Sequence, residues 1–254
     1  MGREKERAIV QKQRQIGIGI YDLWLETEVS KKAIPGQFIS IYTNDASKLL
    51  PRPISICEIE PNKNRLRVVY RIAGEGTKQF SKLREGDTIE ILGPLGNGFT
   101  KREKKAILIG GGIGIPPMLE LAKQLDVRKS IVLGYRDEIF LNKEFEPYGD
   151  VFLASEDGAH GTKGTVLDAI RECDVKGDII YACGPTPMLR AIQAYALEND
   201  IEAQLSLEER MACGVGACLA CVCKSNEVDS HSHVHNKRVC KDGPVFDARE
   251  VDFS

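Results

Sequence analysis

Charge of one sign is scarce in this sequence: 35 basic side chains stand against 37 acidic ones, a formal net charge of −2. Such a balance excludes a protein that captures nucleic acid through its overall field. Long apolar runs are absent as well. The longest uncharged stretch, residues 106–119, is too short to cross a bilayer and is broken by glycine and proline. The first 14 residues carry seven charges and no apolar core, which predicts no secretory signal. Glu6 stands where a myristoylation pattern needs Ser or Thr. These absences predict a cytoplasmic chain with no nucleic-acid partner and no membrane partner. No fixed-period repeat is present, which sets solenoids and propellers aside. Ser/His/Asp and Cys/His groupings are lacking, as are paired carboxylates in a recognisable site, so the chain carries no evident machinery of its own for substrate chemistry. Eight cysteines in 254 residues are too few for a disulfide scaffold.

What is present suffices for a folded core, since 42% of the residues are hydrophobic. At roughly 150 residues per domain the length corresponds to one large or two modest domains. β-rich runs at 16–25, 36–43, 54–59, 66–72 and 88–92 are separated by turn signals such as Pro35-Gly36 and Gly93-Pro94. Strands at this spacing predict an antiparallel barrel or sandwich, with one short helix at 77–83 capped by Thr77. From residue 106 strand and helix alternate. Strands at 106–109, 130–133, 151–154, 178–182 and 201–205, with helices at 116–125, 166–171 and 185–198, predict a parallel sheet, 201–205 being its last strand. Boundaries fall near 100 and 208, giving units 1–100, 101–208 and 209–254.

Five of the eight cysteines lie in that last unit. Cys213, Cys218 and Cys221 form C-x4-C-x2-C, and Cys240 follows after 18 intervening residues. This is the plant-type [2Fe–2S] spacing. Gly214, Gly216 and Ala217 are small enough for backbone N–H groups to turn toward sulfur. Structural zinc is the alternative, but zinc sites usually offer two short cysteine pairs and only Cys218/Cys221 has that spacing. Cys223 competes with Cys240 as fourth ligand. Cys240 is preferred, because a thiol two residues past the loop is poorly placed for a second iron. His231, His233 and His235 read as a solvated loop.

Residues 110–114, containing Gly111, Gly112 and Gly114, follow a strand and open a helix, the setting in which glycines bring a helix start against phosphate. The fingerprint is one residue short of G-x-G-x-x-G, so a ligand-free tight turn is the alternative. Cys183-Gly184-Pro185 repeats the strand-to-helix turn and places a second glycine corner on the same sheet edge. In the first unit, Arg52-Pro53-Ile54-Ser55, Val69-Tyr70-Arg71 and Gly76-Thr77 combine forked cations with a helix start, groups suited to diphosphate. Surface arginines without a ligand are the alternative there.

Taken together, these motifs resemble the ferredoxin–NADP reductase superfamily. With the cysteine run 211–223 and the 239–246 segment they resemble, within it, the electron-transfer subunits of class 1B dihydroorotate dehydrogenases. The resemblance covers essentially the whole chain. It implies an FAD-binding barrel, a nicotinamide-binding parallel-sheet domain and a small C-terminal [2Fe–2S] subdomain. It further implies that residues 52–55, 69–71, Gly76 and Thr77 bind FAD, with Ser55 at the reactive edge of the ring and Arg52 and Thr77 at the diphosphate. Cys183 is expected near flavin and nicotinamide, and Cys213, Cys218, Cys221 and Cys240 hold the cluster. Ile54 stands where the wider group carries a tyrosine, and the His-containing loop before Cys240 is longer than the family's. Arg136 favours a 2′-phosphate while Asp137 and Glu138 favour a ribose hydroxyl; the family implies NAD. Its implied partner is an FMN-containing dihydroorotate dehydrogenase catalytic subunit, two copies of each forming a heterotetramer in pyrimidine biosynthesis. A subunit of a sulfhydrogenase or of a bifurcating ferredoxin–NADP transhydrogenase shares this build, and a zinc-stapled binding module is the non-redox alternative.

Overall fold

A computed structural model of the chain describes residues 4–45, 47, 49–136, 138–228 and 233–254. Its first part is a closed antiparallel barrel made of β1 (Glu4–Gly17), β2 (Ile20–Glu26), β3 (Phe38–Ile41), β4 (Arg52–Glu60), β5 (Arg65–Arg71) and β6 (Thr88–Leu95), in the order β1-β2-β5-β4-β3-β6. Period-two alternation fills it: Ala8, Val10, Leu23, Leu25, Ile39, Ile41, Leu66, Val68, Ile89 and Ile91 turn inward. The helix α1 (Glu75–Phe80) closes one side.

Two expectations change here. The run 16–25 is not one strand, because Gly19 takes φ +67° and turns the chain between β1 and β2. β1 itself, over residues that read only as charged, is the longest strand. Its buried positions are few, with Ala8 and Val10 inside and the neighbouring Arg7 and Ile9 exposed. Thr77 does not precede α1 but lies within it. Its hydroxyl accepts from the Gly74 and Ala73 N–H groups at 3.2 and 2.9 Å, tying the helix start from inside.

The second part alternates β7 (Ala106–Gly111), α2 (Pro116–Gln124), β8 (Lys129–Tyr135), α3 (Asn142–Phe145), β9 (Asp150–Ser155), β10 (Thr162–Lys163), α4 (Val166–Glu172), β11 (Ile179–Cys183), α5 (Thr186–Glu198) and β12 (Glu202–Ser206). β7 is buried along its whole length and feeds two cores, Ile107 and Ile109 on one face, Ala106 and Leu108 on the other, as a central parallel strand must. The sheet order is β10-β9-β8-β7-β11-β12-β15. Its last member, β15 (Val245–Asp247), comes from the cysteine-rich end and runs antiparallel to β12. The expectation that 201–205 ends the sheet is therefore corrected. Between them the hairpin β13 (Val222–Lys224) and β14 (Asn236–Arg238) frames the last cysteines.

A buried charge network joins barrel and sheet. Arg67, 2% exposed, bonds Asp22 on β2 at 2.7 Å and Glu144 on α3 at 2.5 Å, and Glu58 bridges it to Lys123 on α2. Burial works against its charge, but the Glu144 and Asp22 carboxylates outweigh it and raise the guanidinium pKa, so the charge is permanent. No helix among the described residues is long and apolar enough to cross a membrane.

Candidate functional site

The strand order reverses at β7, with β8 on one side and β11 on the other. At this switch point, where open α/β sheets take ligands, the two glycine corners pack together. A methyl on Gly114 would lie 2.5 Å from the Cys183 carbonyl, and one on Gly111 would lie 2.4 Å from Met188 Sδ and 3.3 Å from Pro185. A Gly184 methyl would meet Met188 and, at 3.3 Å, Gly111. Gly112 takes φ +53° and faces open space. These glycines thus have a packing reason, and they leave the crevice mouth bare.

Beside the crevice lies a cavity of about 360 Å³. Arg52, Pro53, Ile54 and Ser55 from β4, Val69, Tyr70 and Arg71 from β5, and Thr77 from α1 all line it. Three segments remote in sequence converge there. Gly76 lies against the guanidinium of Arg52, and a methyl on it would fall 2.2 Å from Nε. Tyr70 is buried among barrel side chains, its hydroxyl donating to Gln13 Oε1 at 2.9 Å. The opposite wall is Ile113 of the glycine corner, Ser206 at the end of β12 with the following residues 207–209, and Met211 and Pro244 from the cysteine-rich end. Phe38 and Ala73 complete it. None of this second group was named as a site residue from the sequence, although Ile113 lies in the 110–114 turn, and Met211 and Pro244 lie in the 211–223 and 239–246 runs that carry the resemblance. Residues 206–209 carried only their position at the carboxyl edge of the sheet.

Glu208 lines the cavity and is exposed, yet desolvation by the protein around its carboxyl raises that group's pKa. Cys183 is buried at the crevice, and burial, reinforced by the Glu208 carboxylate, pushes its thiol up to about 12. It is a neutral thiol at physiological pH. Glu138 takes the Ile18 N–H at 2.7 Å, which ties it to the β1–β2 turn, and exposed Arg136 stands 3.9 Å from Glu156. Asp137 and His231 lie outside the described residues. His233 and His235 are exposed.

The four expected cysteines form two pairs. Cys213 and Cys218 lie close enough to influence each other's titration, as do Cys221 and Cys240. Among the described residues no three His, Cys, Asp or Glu side chains converge as one metal ion would require. Two pairs are what a dinuclear centre needs. Backbone N–H groups already point at sulfur: Val215 and Cys218 to Cys213 at 3.4 Å, Gly216 to Cys240 at 3.1 Å, and Cys240 to Cys221 at 3.5 Å. Gly214 and Gly216 reach this wrap through φ values of +66° and +82°. Burial pushes the Cys213 thiol up, but the N–H groups of Cys218 and Val215 outweigh it and hold it at about 6. Burial and the Cys221 thiol raise Cys240 to about 12. Cys223 is turned to the hairpin partner strand, its thiol donating to the Lys237 carbonyl at 3.5 Å. This donor set fits a [2Fe–2S] cluster, which brings positive charge to stabilise four thiolates at once.

Fold and site together define a class: a flavin-reductase-type electron carrier, built of barrel and nucleotide sheet, with an iron–sulfur segment folded against both. Residues 208–252 match the model of the iron–sulfur cluster binding domain of dihydroorotate dehydrogenase B. The chain is 45% identical over 260 residues to the dihydroorotate dehydrogenase B (NAD+) electron transfer subunit of Geobacillus sp. (strain WCH70), covering 98% of both chains. It is 44% identical to the protein of that name from Caldanaerobacter subterraneus subsp. tengcongensis, covering 99% of this chain and all of that one. The chain belongs to the family of dihydroorotate dehydrogenase B electron transfer subunits. Among solved structures it is similar to the NADH-dependent reduced ferredoxin–NADP oxidoreductase of flavin-based electron bifurcation. That match has a TM-score of 0.87 and 30% identity, over 97% of this chain and 90% of that one. The ferredoxin reductase in carbazole 1,9a-dioxygenase shares the fold at 21% identity, with a TM-score of 0.66 over 79% of this chain and 67% of that one.

Proposed function

We propose that the chain carries electrons from an FMN-containing catalytic subunit, which oxidises dihydroorotate, to NAD+. It does so in the cytoplasm, in a heterotetramer with two copies of each subunit. FAD and a [2Fe–2S] cluster, when bound, supply the interchange between single-electron and hydride transfer. The observation that carries this reading is the shared wall of the cavity: β4 and β5 of the barrel, Ile113 of the glycine corner, and Met211, two residues before Cys213, border one space. A ring bound there would be lined both by the glycine corner and by the segment that leads into the cysteine loop.

The residue roles follow from chemistry. Arg52 offers a planar fork, and Thr77 and Gly76 the first turn of α1, to a diphosphate. Pro53, Ile54, Ser55, Val69, Tyr70 and Arg71 provide the wall for the ring, with Ser55 at its reactive edge. Gly111, Gly112, Gly114, Gly184 and Pro185 keep the crevice free of side chains for the nicotinamide. Cys183, held as a neutral thiol, places no second negative charge beside a reduced flavin. Cys213, Cys218, Cys221 and Cys240 hold the cluster. We assign these roles to units 1–100, 101–208 and 209–254 respectively for FAD, NAD and cluster.

The 30% identity to the bifurcating oxidoreductase favours a second reading, in which the same cofactors serve a ferredoxin–NADP partner. Co-purification from the native cell with cofactor analysis separates the two. The expected result is a yellow-brown chain with one FAD and one two-iron cluster, bound to an FMN protein, oxidising NADH in preference to NADPH with an artificial acceptor. Dihydroorotate turnover by the pure chain alone would refute the division of labour. A colourless, zinc-loaded chain would end the redox reading.

A further inference from the structure

Among the described residues one buried side-chain oxygen or nitrogen lacks any hydrogen-bond partner: Ser40 Oγ. Ser40 lies on β3 and is 1% exposed. Strand alternation explains where it points. Ile39 and Ile41 turn into the barrel, so Phe38 and Ser40 turn out of it, and Phe38 joins the core shared with the sheet and the cysteine-rich end. Phe38 also lines the cavity. What faces Ser40 is the cysteine loop: a methyl built on Gly214 would come 3.0 Å from its Oγ. Gly214 follows Cys213 directly and holds φ +66°.

A hydroxyl out of water and without a partner is costly, and native interiors rarely keep one without a reason. The loop that faces Ser40 carries Cys213, whose sulfur would be the acceptor once a cluster is bound. All four N–H donors already aimed at the thiols come from residues 215–240, within the cysteine-rich segment itself. Ser40 would be a donor from the barrel, on the flank that also faces the cavity.

We propose that Ser40 Oγ donates a hydrogen bond to sulfur of the bound cluster and thereby raises its reduction potential. The inference rests on the assignment of a [2Fe–2S] cluster to Cys213, Cys218, Cys221 and Cys240. The added electron increases negative charge on sulfur, so a donor there favours the reduced form. Ser40 makes no bond to iron and takes no part in hydride transfer. It is a positioning and tuning residue.

The test is a redox titration of the complete complex followed by electron paramagnetic resonance, on wild type, Ser40→Ala and Ser40→Thr. Removal of the hydroxyl should lower the reduced-to-oxidised ratio at a fixed potential by about threefold to tenfold, tenfold corresponding to 59 mV for one electron. Threonine, which keeps the hydroxyl, should restore the wild-type value. A proton coupling to the cluster that is seen in ordinary water and lost in deuterated buffer should be missing from Ser40→Ala and present in wild type and Ser40→Thr. An unmoved cluster potential in Ser40→Ala overturns the proposal, as does a threonine variant that behaves like alanine. A shift confined to the flavin would assign the hydroxyl to the cavity instead. Loss of iron from Ser40→Ala would make its role structural and likewise overturn it. A wild-type complex without any cluster signal would fail the underlying assignment, a result distinct from all of these.

Discussion

Gly76 and Arg52 form a pair in which one residue is defined by the absence of a side chain in the other. A methyl at position 76 would sit 2.2 Å from Arg52 Nε and 2.6 Å from Cζ. Because the obstacle is the far end of a flexible side chain, the fold tolerates the change and the guanidinium moves. Gly76→Ala should therefore leave the stability of the cofactor-free chain within about 0.5 kcal/mol. It should weaken FAD binding roughly tenfold or more, the loss of one charge-assisted bond of about 1.5–3 kcal/mol. Fluorescence titration of FAD against the cofactor-free variant measures this, and an unchanged affinity counts against Arg52 as a diphosphate ligand. At this scale the sequence was legible where chemistry is local. Arg52, Ser55 and Thr77 stand out by residue type beside turns, and the cysteines by spacing. Ser40 and Glu208 carry no such mark, since what distinguishes them is the surroundings that distant segments build.

Elements were legible in proportion to the locality of their signal. α4 announces itself: Thr165 accepts from the Asp168 N–H at 3.3 Å and Asp168 accepts from the Thr165 N–H at 2.8 Å, a reciprocal cap ahead of an apolar stripe. Thr165→Ala should cost about 1 kcal/mol at neutral pH. The Thr165 hydroxyl and N–H hold the Asp168 carboxyl below its ordinary 3.8. A depressed carboxylate contributes stability above its unfolded pKa and loses it as pH falls through the folded one. The difference between wild type and variant should thus be full at pH 7 and shrink below pH 3.8. Urea titrations at neutral and acid pH check this, and a difference independent of pH would deny the carboxylate its part in the cap. β1 and β15 were illegible for opposite reasons. β1 hides its alternation behind charges on the solvent side. β15 is three residues long, and only its pairing with β12, some forty residues earlier, makes it a strand.

On the scale of the whole molecule the three segments are not beads on a string. Phe38 and Leu95 of the barrel, Ile107 and Ala182 of the sheet, and Cys221, Val239 and Cys240 of the last segment belong to one apolar core. On the other side Arg67, with Asp22, Glu58 and Glu144, fixes barrel to sheet through buried charges, an arrangement whose dismantling by removal of one partner is strongly destabilising. The cavity is a product of this assembly. Its barrel wall follows from motifs, while its far wall depends on how the segments dock, which no local pattern encodes.

β15 has a consequence for solubility. It covers the row of N–H and C=O groups along β12, pairing Gln204 with Asp247 and Ser206 with Val245. A chain ending at Pro244 would retain the four cysteines proposed to hold the cluster and every residue lining the cavity, yet its sheet would end in a bare edge, the template on which strands of other molecules add. Such a shortened chain should self-associate as its concentration rises, seen by light scattering or gel filtration, while the full-length chain stays dispersed under the same conditions. A truncated chain that remained monomeric would show that something other than β15 protects that edge.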